Sequence, residues 1–313
     1  MGRRIEDDTP EGRTPRLSRK DKMRRTILSL AAAVMLVIAW AVPAAAITKN
    51  YTQDFTHTFV GLIAFYDANG DFSHRCTGEL LASTVVLTAG HCTDNEAGGV
   101  MTSARIWFQQ GAGTHYDTTT QLDTVTGYPE YCAAGTLGTL CAESHEMYNY
   151  GFDNFAGFPN ILDIGIVILD QPMTDLGYAT LAAPQTLDPL LKARGTQDTT
   201  FTVSGYGISF SAKQGAYAIS FRERLMAQET LVNLVSHSTD GFSIQLNGNG
   251  DSRGGTCSGD SGGPVFYPAD SNQIVAVTSW GMSNAGCRGD GWYYRTDRQD
   301  VIGWINSVAG THF

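Results

Sequence analysis

Short runs of apolar and β-branched residues, bounded by glycine, asparagine or aspartate, recur through most of this 313-residue chain. They fall at 59–66, 80–88, 104–108, 161–169, 200–206, 242–246, 273–280 and 292–295. Such runs are too short for the helices of a bundle, and turn residues between them at regular intervals point to an antiparallel barrel or sandwich. The fold class expected is therefore all-β. One stretch departs from this pattern. Val301, Trp304, Ile305 and Val308 lie at i, i+3, i+4 and i+7, one face of a closing helix over about 299–309.

The N-terminus has a different character. Met23-Arg24-Arg25 precedes an apolar run over 27–42, and Pro43-Ala44-Ala45-Ala46 follows it. These are the basic, apolar and small-residue regions of a secretory signal, so 1–46 reads as an N-terminal extension and signal peptide. Residues 1–22 are either a long n-region or the product of an upstream start, with Met23 the true one. The competing reading is a signal anchor, since 27–47 reaches the roughly 20 residues that span a bilayer. The short strongly apolar part and the Ala-x-Ala ending favour cleavage.

The remaining chain, 47–313, is then secreted and extracellular, without stable membrane association. It holds 12 basic and 26 acidic residues, a net charge of −14 that repels nucleic acid and anionic membranes. Six cysteines, Cys76, Cys92, Cys132, Cys141, Cys257 and Cys287, suggest three disulfides in that compartment. Six allow fifteen pairings, so spacing alone does not choose among them.

The chemistry concentrates in Gly255-Thr256-Cys257-Ser258-Gly259-Asp260-Ser261-Gly262-Gly263-Pro264. Its glycines let the backbone turn tightly and a substrate approach the Ser261 hydroxyl. A serine alcohol needs a base, a group that orients the base, and donors for the oxyanion formed on attack. The base candidate is His91 in Thr88-Ala89-Gly90-His91-Cys92, and the orienting carboxylate is Asp163 at the head of an apolar run. Asp153 and Asp170 lie near it, but Asp170 precedes Gln171-Pro172 and reads as the turn that ends the strand. The donors would be the N–H groups of Gly259 and Ser261. His57, His74, His115, His145, His237 and His312 carry no such context and read as structural or exposed.

The segment 259–263 also fits the G-x-S-x-G elbow of α/β-hydrolases, which needs its histidine after the serine. Only His312 follows Ser261, whereas His91, Asp163 and Ser261 run in the order His, Asp, Ser. That order, with the two motifs quoted, resembles the trypsin/chymotrypsin family of serine endopeptidases, in a secreted, bacterial-type form, over roughly 47–309. The resemblance implies two antiparallel β-barrels packed around a cleft, with a C-terminal helix. The first barrel would cover about 47–175 and the second about 190–298.

It further implies disulfides Cys76–Cys92 and Cys257–Cys287, which leaves Cys132 and Cys141 as a local staple in an inserted loop system over 109–160. Ser279, Trp280 and Gly281 would bind the substrate backbone, and Gly205-Tyr206-Gly207 would be a packing variant of the family's Gly-Trp-Gly. Gly255 stands where trypsin carries its aspartate and Gly291 lines the opposite wall, so the pocket is expected to be uncharged and to take large apolar residues. A shifted alignment of 287–291 would instead bring Asp290 in. Cleavage after Ala46 would free Ile47 to pair with Asp260. The substrates would be proteins or peptides, no cofactor is required, and no loop spacing demands a metal. The rival reading is a non-catalytic binding protein that keeps this fold; the oligomeric state is not readable.

Overall fold

The computed structural model describes residues 47–48, 50–94, 99–112, 132, 135, 137–192, 198–211, 216–220, 223–249, 253–281, 287 and 289–310, without the side chains of 192, 209–211 and 216–220. The signal segment 1–46 lies outside the described residues, as do 113–131 of the expected insertion. Two mainly antiparallel β-barrel sheets and a C-terminal helix dominate the described residues, beside a two-stranded sheet of Ile208–Ser211 and Ala216–Ser220.

The first sheet has the strand order Cys141–Ser144, Ser103–Trp107, Val60–Tyr66, Phe72–Ala82, Val85–Thr88, Gly165–Ile168, Glu146–Asn149. Only His145 separates its two outermost strands in the chain, so the edges meet at one corner and the sheet curls on itself. Val60–Tyr66 is buried at all seven positions, which is why it reads as a continuous apolar run rather than an alternating one.

The second sheet runs Thr52–Gln53, Leu225–Asn233, Thr200–Gly205, Pro264–Phe266, Gln273–Gly281, Asp290–Arg295, Ser243–Asn247. Its last strand pairs back with Leu225–Asn233, closing six strands into a ring. The helix Gln299–Ala309 buries Val301, Ile305 and Ala309 and ends at Gly310, whose φ of 67° suits glycine. Burying the valine and isoleucine contributes about 1.5–3 kcal/mol each.

Three features depart from the sequence-based expectations. Thr52–Gln53, assigned to the first barrel, pairs with Leu225–Asn233 of the second. The stretch 109–160 is not loop throughout, because Cys141–Ser144 and Glu146–Asn149 are strands of the first sheet, polar in sequence since they lie at its edges. Leu225–Asn233 was not legible as a strand. Its leucine, methionine, alanine, glutamine and glutamate favour a helix locally, and the sheet overrides that preference by burying Leu225, Ala227, Glu229 and Leu231 on one face.

The cysteines are joined as Cys76–Cys92, Cys132–Cys141 and Cys257–Cys287. Between the barrels, the buried Arg224 donates to the carbonyls of Asp54, Val60 and Phe108 and to the Tyr206 hydroxyl. Tyr206 is thus a hydrogen-bonded member of this clamp as well as a packed ring, its hydroxyl donating to Gln109 O at 2.8 Å.

Candidate active site

The buried strand Val85–Thr88 delivers the chain to Ala89 and a single helical turn, Gly90–Thr93, that presents His91 at the surface of the first barrel. Glycine at 90 relieves crowding, since a β-carbon there would press on Phe152 Cβ at 3.0 Å and on the Ile164 backbone at 3.1 Å. Cys92 ties the turn to Cys76 on the neighbouring strand.

Asp163 is fully buried and accepts from His91 three ways: its Oδ1 takes the backbone N–H at 2.8 Å, and Nδ1 lies 3.1 Å from Oδ1 and 2.9 Å from Oδ2. The Ser279 hydroxyl donates to Oδ2 at 2.5 Å. Burial alone would raise the Asp163 carboxyl, but the His91 charge and these bonds hold it below the usual range. His91 keeps 24% of its side chain exposed, so its far nitrogen can reach a reacting group.

The loop bearing Ser261 packs against that turn. A β-carbon on Gly262, at φ 78°, would lie 2.1 Å from Thr88 Oγ1 and 2.6 Å from Ala89 N. Glycine is therefore obligatory at this approach. Thr77, which the sequence alone did not single out, pins the loop from the first barrel. Its N–H donates to Ser261 O at 2.8 Å and its hydroxyl to Gly259 O at 2.9 Å. Gly259 has φ 93°, and among the described residues no acceptor takes the N–H of Gly259 or of Ser261.

Asp260 turns inward between them, fully buried, and accepts from Gly207 N–H at 2.7 Å and Cys257 N–H at 2.8 Å. β-Carbons on Gly205 and Gly207 would stand 2.2 and 2.5 Å from its carboxyl atoms, which explains both glycines of Gly205-Tyr206-Gly207. No cation faces Asp260 among the described residues, and burial pushes it up to about 7 against those two N–H groups. Ile47 is fully buried in the second core cluster at φ 50°, and Thr48 pairs with Gly255 through two backbone bonds of 2.9 and 3.0 Å.

A cavity of about 190 Å³ opens beside Ser261. Gly255, Ser279, Trp280, Gly281 and Gly291 line it, but so do Asp290 and Glu229. The pocket lining therefore carries two acidic side chains. One of them, Glu229, is carried by Leu225–Asn233, whose local composition hid the strand. The inward alternation of 225, 227, 229 and 231 was the signal available. Phe152, its ring 5.7 Å from that of His91, Phe155 and Phe158, both 6.1 Å from Trp280, form an aromatic wall between histidine and pocket.

A second constellation, Asp54, His57 and Ser204, is buried and chemically different. Ser204 donates to Asp54 at 2.6 Å, as does His57 Nδ1 at 2.8 Å, so the hydroxyl proton goes to the carboxylate and not to an imidazole. None of the three lines the cavity.

The family model described as Trypsin matches residues 56–305. Trypsin zeta of Drosophila erecta is 24% identical over 260 residues, 78% of this chain and 79% of its own. The structure of HL collagenase has a TM-score of 0.58 to this one at 16% identity, covering 87% of this chain and all of that one. A scabies mite inactivated protease paralogue has the same fold, with a TM-score of 0.53, 16% identity, and 84% and 98% of the two chains covered. Because one fold serves active and inactivated proteins, side-chain chemistry has to carry the functional argument.

Proposed function

The chain belongs to the trypsin family and is a serine endopeptidase, and we propose that it cleaves peptide bonds through His91, Asp163 and Ser261. The observation that carries this is the buried Asp163 carboxylate held on Nδ1 and the backbone N–H of His91. With Nδ1 committed as a donor, the other ring nitrogen is the one that can accept the Ser261 proton, and the imidazolium formed on proton transfer has a counter-charge already in place. Ser261 attacks the scissile carbonyl while His91 takes its proton. The N–H groups of Gly259 and Ser261 receive the oxyanion, a contribution of about 10²- to 10³-fold per donor in related chemistry. His91 returns the proton to the departing amine, and water resolves the acyl-enzyme by the reverse sequence.

The substrates are proteins or peptides. Secretion is supported by three disulfides in the described residues, which persist in oxidising compartments. Cleavage after Ala46 would give Ile47 an α-amino group beside a loop whose Asp260 has no cation among the described residues, coupling signal removal to activation. The rival reading, a binding protein without turnover, loses ground because none of the three reacting groups is replaced. A phosphonylating reagent tests the proposal. Stoichiometric labelling of the parent, abolished in Ser261→Ala, is expected; unlabelled protein, or full peptidase activity in His91→Ala, would refute it.

A further inference from the structure

A serine endopeptidase selects its cleavage site through the space beside its nucleophile, and the inference here deepens the reading above and rests on it. Glu229 enters the cavity wall from Leu225–Asn233 and is 1% exposed. The Tyr293 hydroxyl, itself bonded to Thr256 Oγ1 at 2.9 Å, donates to Glu229 Oε1 at 2.7 Å. Oε2 has no partner. A buried acceptor left unpaired is costly unless a ligand brings the missing donor.

Gly255 puts no side chain between the cavity and this group; a β-carbon there would stand at ordinary van der Waals distance, 3.7 Å, from Glu229 Oε1, so a longer side chain would reach it. Asp290 shares the wall, but its two oxygens accept from the Gln245 and Asn247 amides at 2.6 and 2.5 Å. No lysine or arginine is among the described lining residues. Among the described residues the cavity wall therefore holds one Glu229 oxygen fixed by Tyr293, a second without a side-chain partner, and no competing cation.

From this geometry we propose that Glu229 is the primary specificity determinant and binds the cationic end of a lysine or arginine preceding the scissile bond. The charge comes from a strand of the barrel wall and not from the loop that carries Ser261. This replaces the apolar preference expected from Gly255 alone. Burial pushes the free Glu229 carboxyl up to about 8; the Tyr293 hydroxyl and Thr256 N–H oppose the rise, and Asp260 and Asp290 add to it. Cation binding therefore releases the Glu229 proton to solvent, and affinity should tighten about tenfold per pH unit below 8.

The test uses the processed enzyme, Glu229→Gln and Asp290→Asn against fluorogenic peptides that differ only in the residue before the scissile bond. The parent should favour Lys and Arg over Leu and Phe. Glu229→Gln should lower the Lys-to-Leu ratio of kcat/KM on the order of 100- to 1,000-fold, the scale of removing one partner of a buried charge pair. A larger effect from Asp290→Asn would overturn the assignment. p-Aminobenzamidine, a small aromatic cation, gives a readout that needs no variant: it should bind the parent and tighten from pH 6 to 8, and absent or pH-independent binding would overturn the proposal. Parent enzyme that is phosphonylated at Ser261 yet prefers Leu or Phe would sink this inference while leaving the peptidase reading intact. Parent enzyme that is not phosphonylated would sink both.

Discussion

Capping the amino group of Ile47 should leave the protein with a pH-dependent instability that the processed form lacks. In the uncut chain the buried Asp260 carboxyl sits at about 7 instead of 3.8, because burial penalises its charge and only two peptide N–H groups offset it. A folded pKa above the unfolded one means that the folded state holds more protons between those values, so stability falls as pH rises through that window. The full loss is about 4 kcal/mol at 1.36 kcal/mol per unit, of which about 3 kcal/mol falls between pH 4.5 and 7.5. An ammonium on Ile47 would pair with the carboxylate and remove the penalty.

The assay compares urea unfolding of two Ser261→Ala proteins, one beginning at Ile47 and one with Gly-Ser before it. Between pH 4.5 and 7.5 the extended form should lose about 3 kcal/mol more than the processed form, and Asp260→Asn should abolish the difference. Glu229, also buried and raised to about 8 partly by Asp260, is removed from the comparison by carrying Glu229→Gln in both proteins. The left-handed φ of Ile47, costly for a β-branched residue, adds a pH-independent term that does not affect the slope. Parallel profiles for the two forms would refute the reasoning.

Three further outcomes follow from the same geometry. Gly207→Ala places a β-carbon 2.5 Å from Asp260 Cγ, so kcat/KM should fall more than about tenfold while stability drops by about 1–3 kcal/mol; unchanged activity would show that the Asp260 turn tolerates displacement. Hydrolysis should rise with pH as His91 loses its proton, and the double variant His91→Ala with Ser261→Ala should be barely slower than either single one; additive losses would mean the two do not act together. Replacing Cys76 and Cys92 by alanine opens a bridge between residues 16 apart and should cost about 3 kcal/mol in urea unfolding, with a drop in kcat as the His91 turn loosens; unaltered kcat would mean that packing alone holds the turn.

The barrels and the order of His91, Asp163 and Ser261 were legible because they rest on local signals: short apolar runs, turn residues, and two motifs of a few residues each. Thr77 was not, because its role exists only through pairing with Gly259, 182 residues away, and with Ser261 beyond it. The need for glycine at 205 and 207 was hidden for the same reason, since the atoms they make room for belong to Asp260. Glu229 shows the limit most clearly. Asking which side chain lies six residues before Ser261 returns Gly255 and an uncharged pocket, yet 3.7 Å from where that side chain would begin stands a carboxylate from another strand. A pocket's charge belongs to a volume that several strands can reach. A glycine in the loop records only that the loop does not fill it, and the alternation of Leu225, Ala227, Glu229 and Leu231 identifies the strand that does.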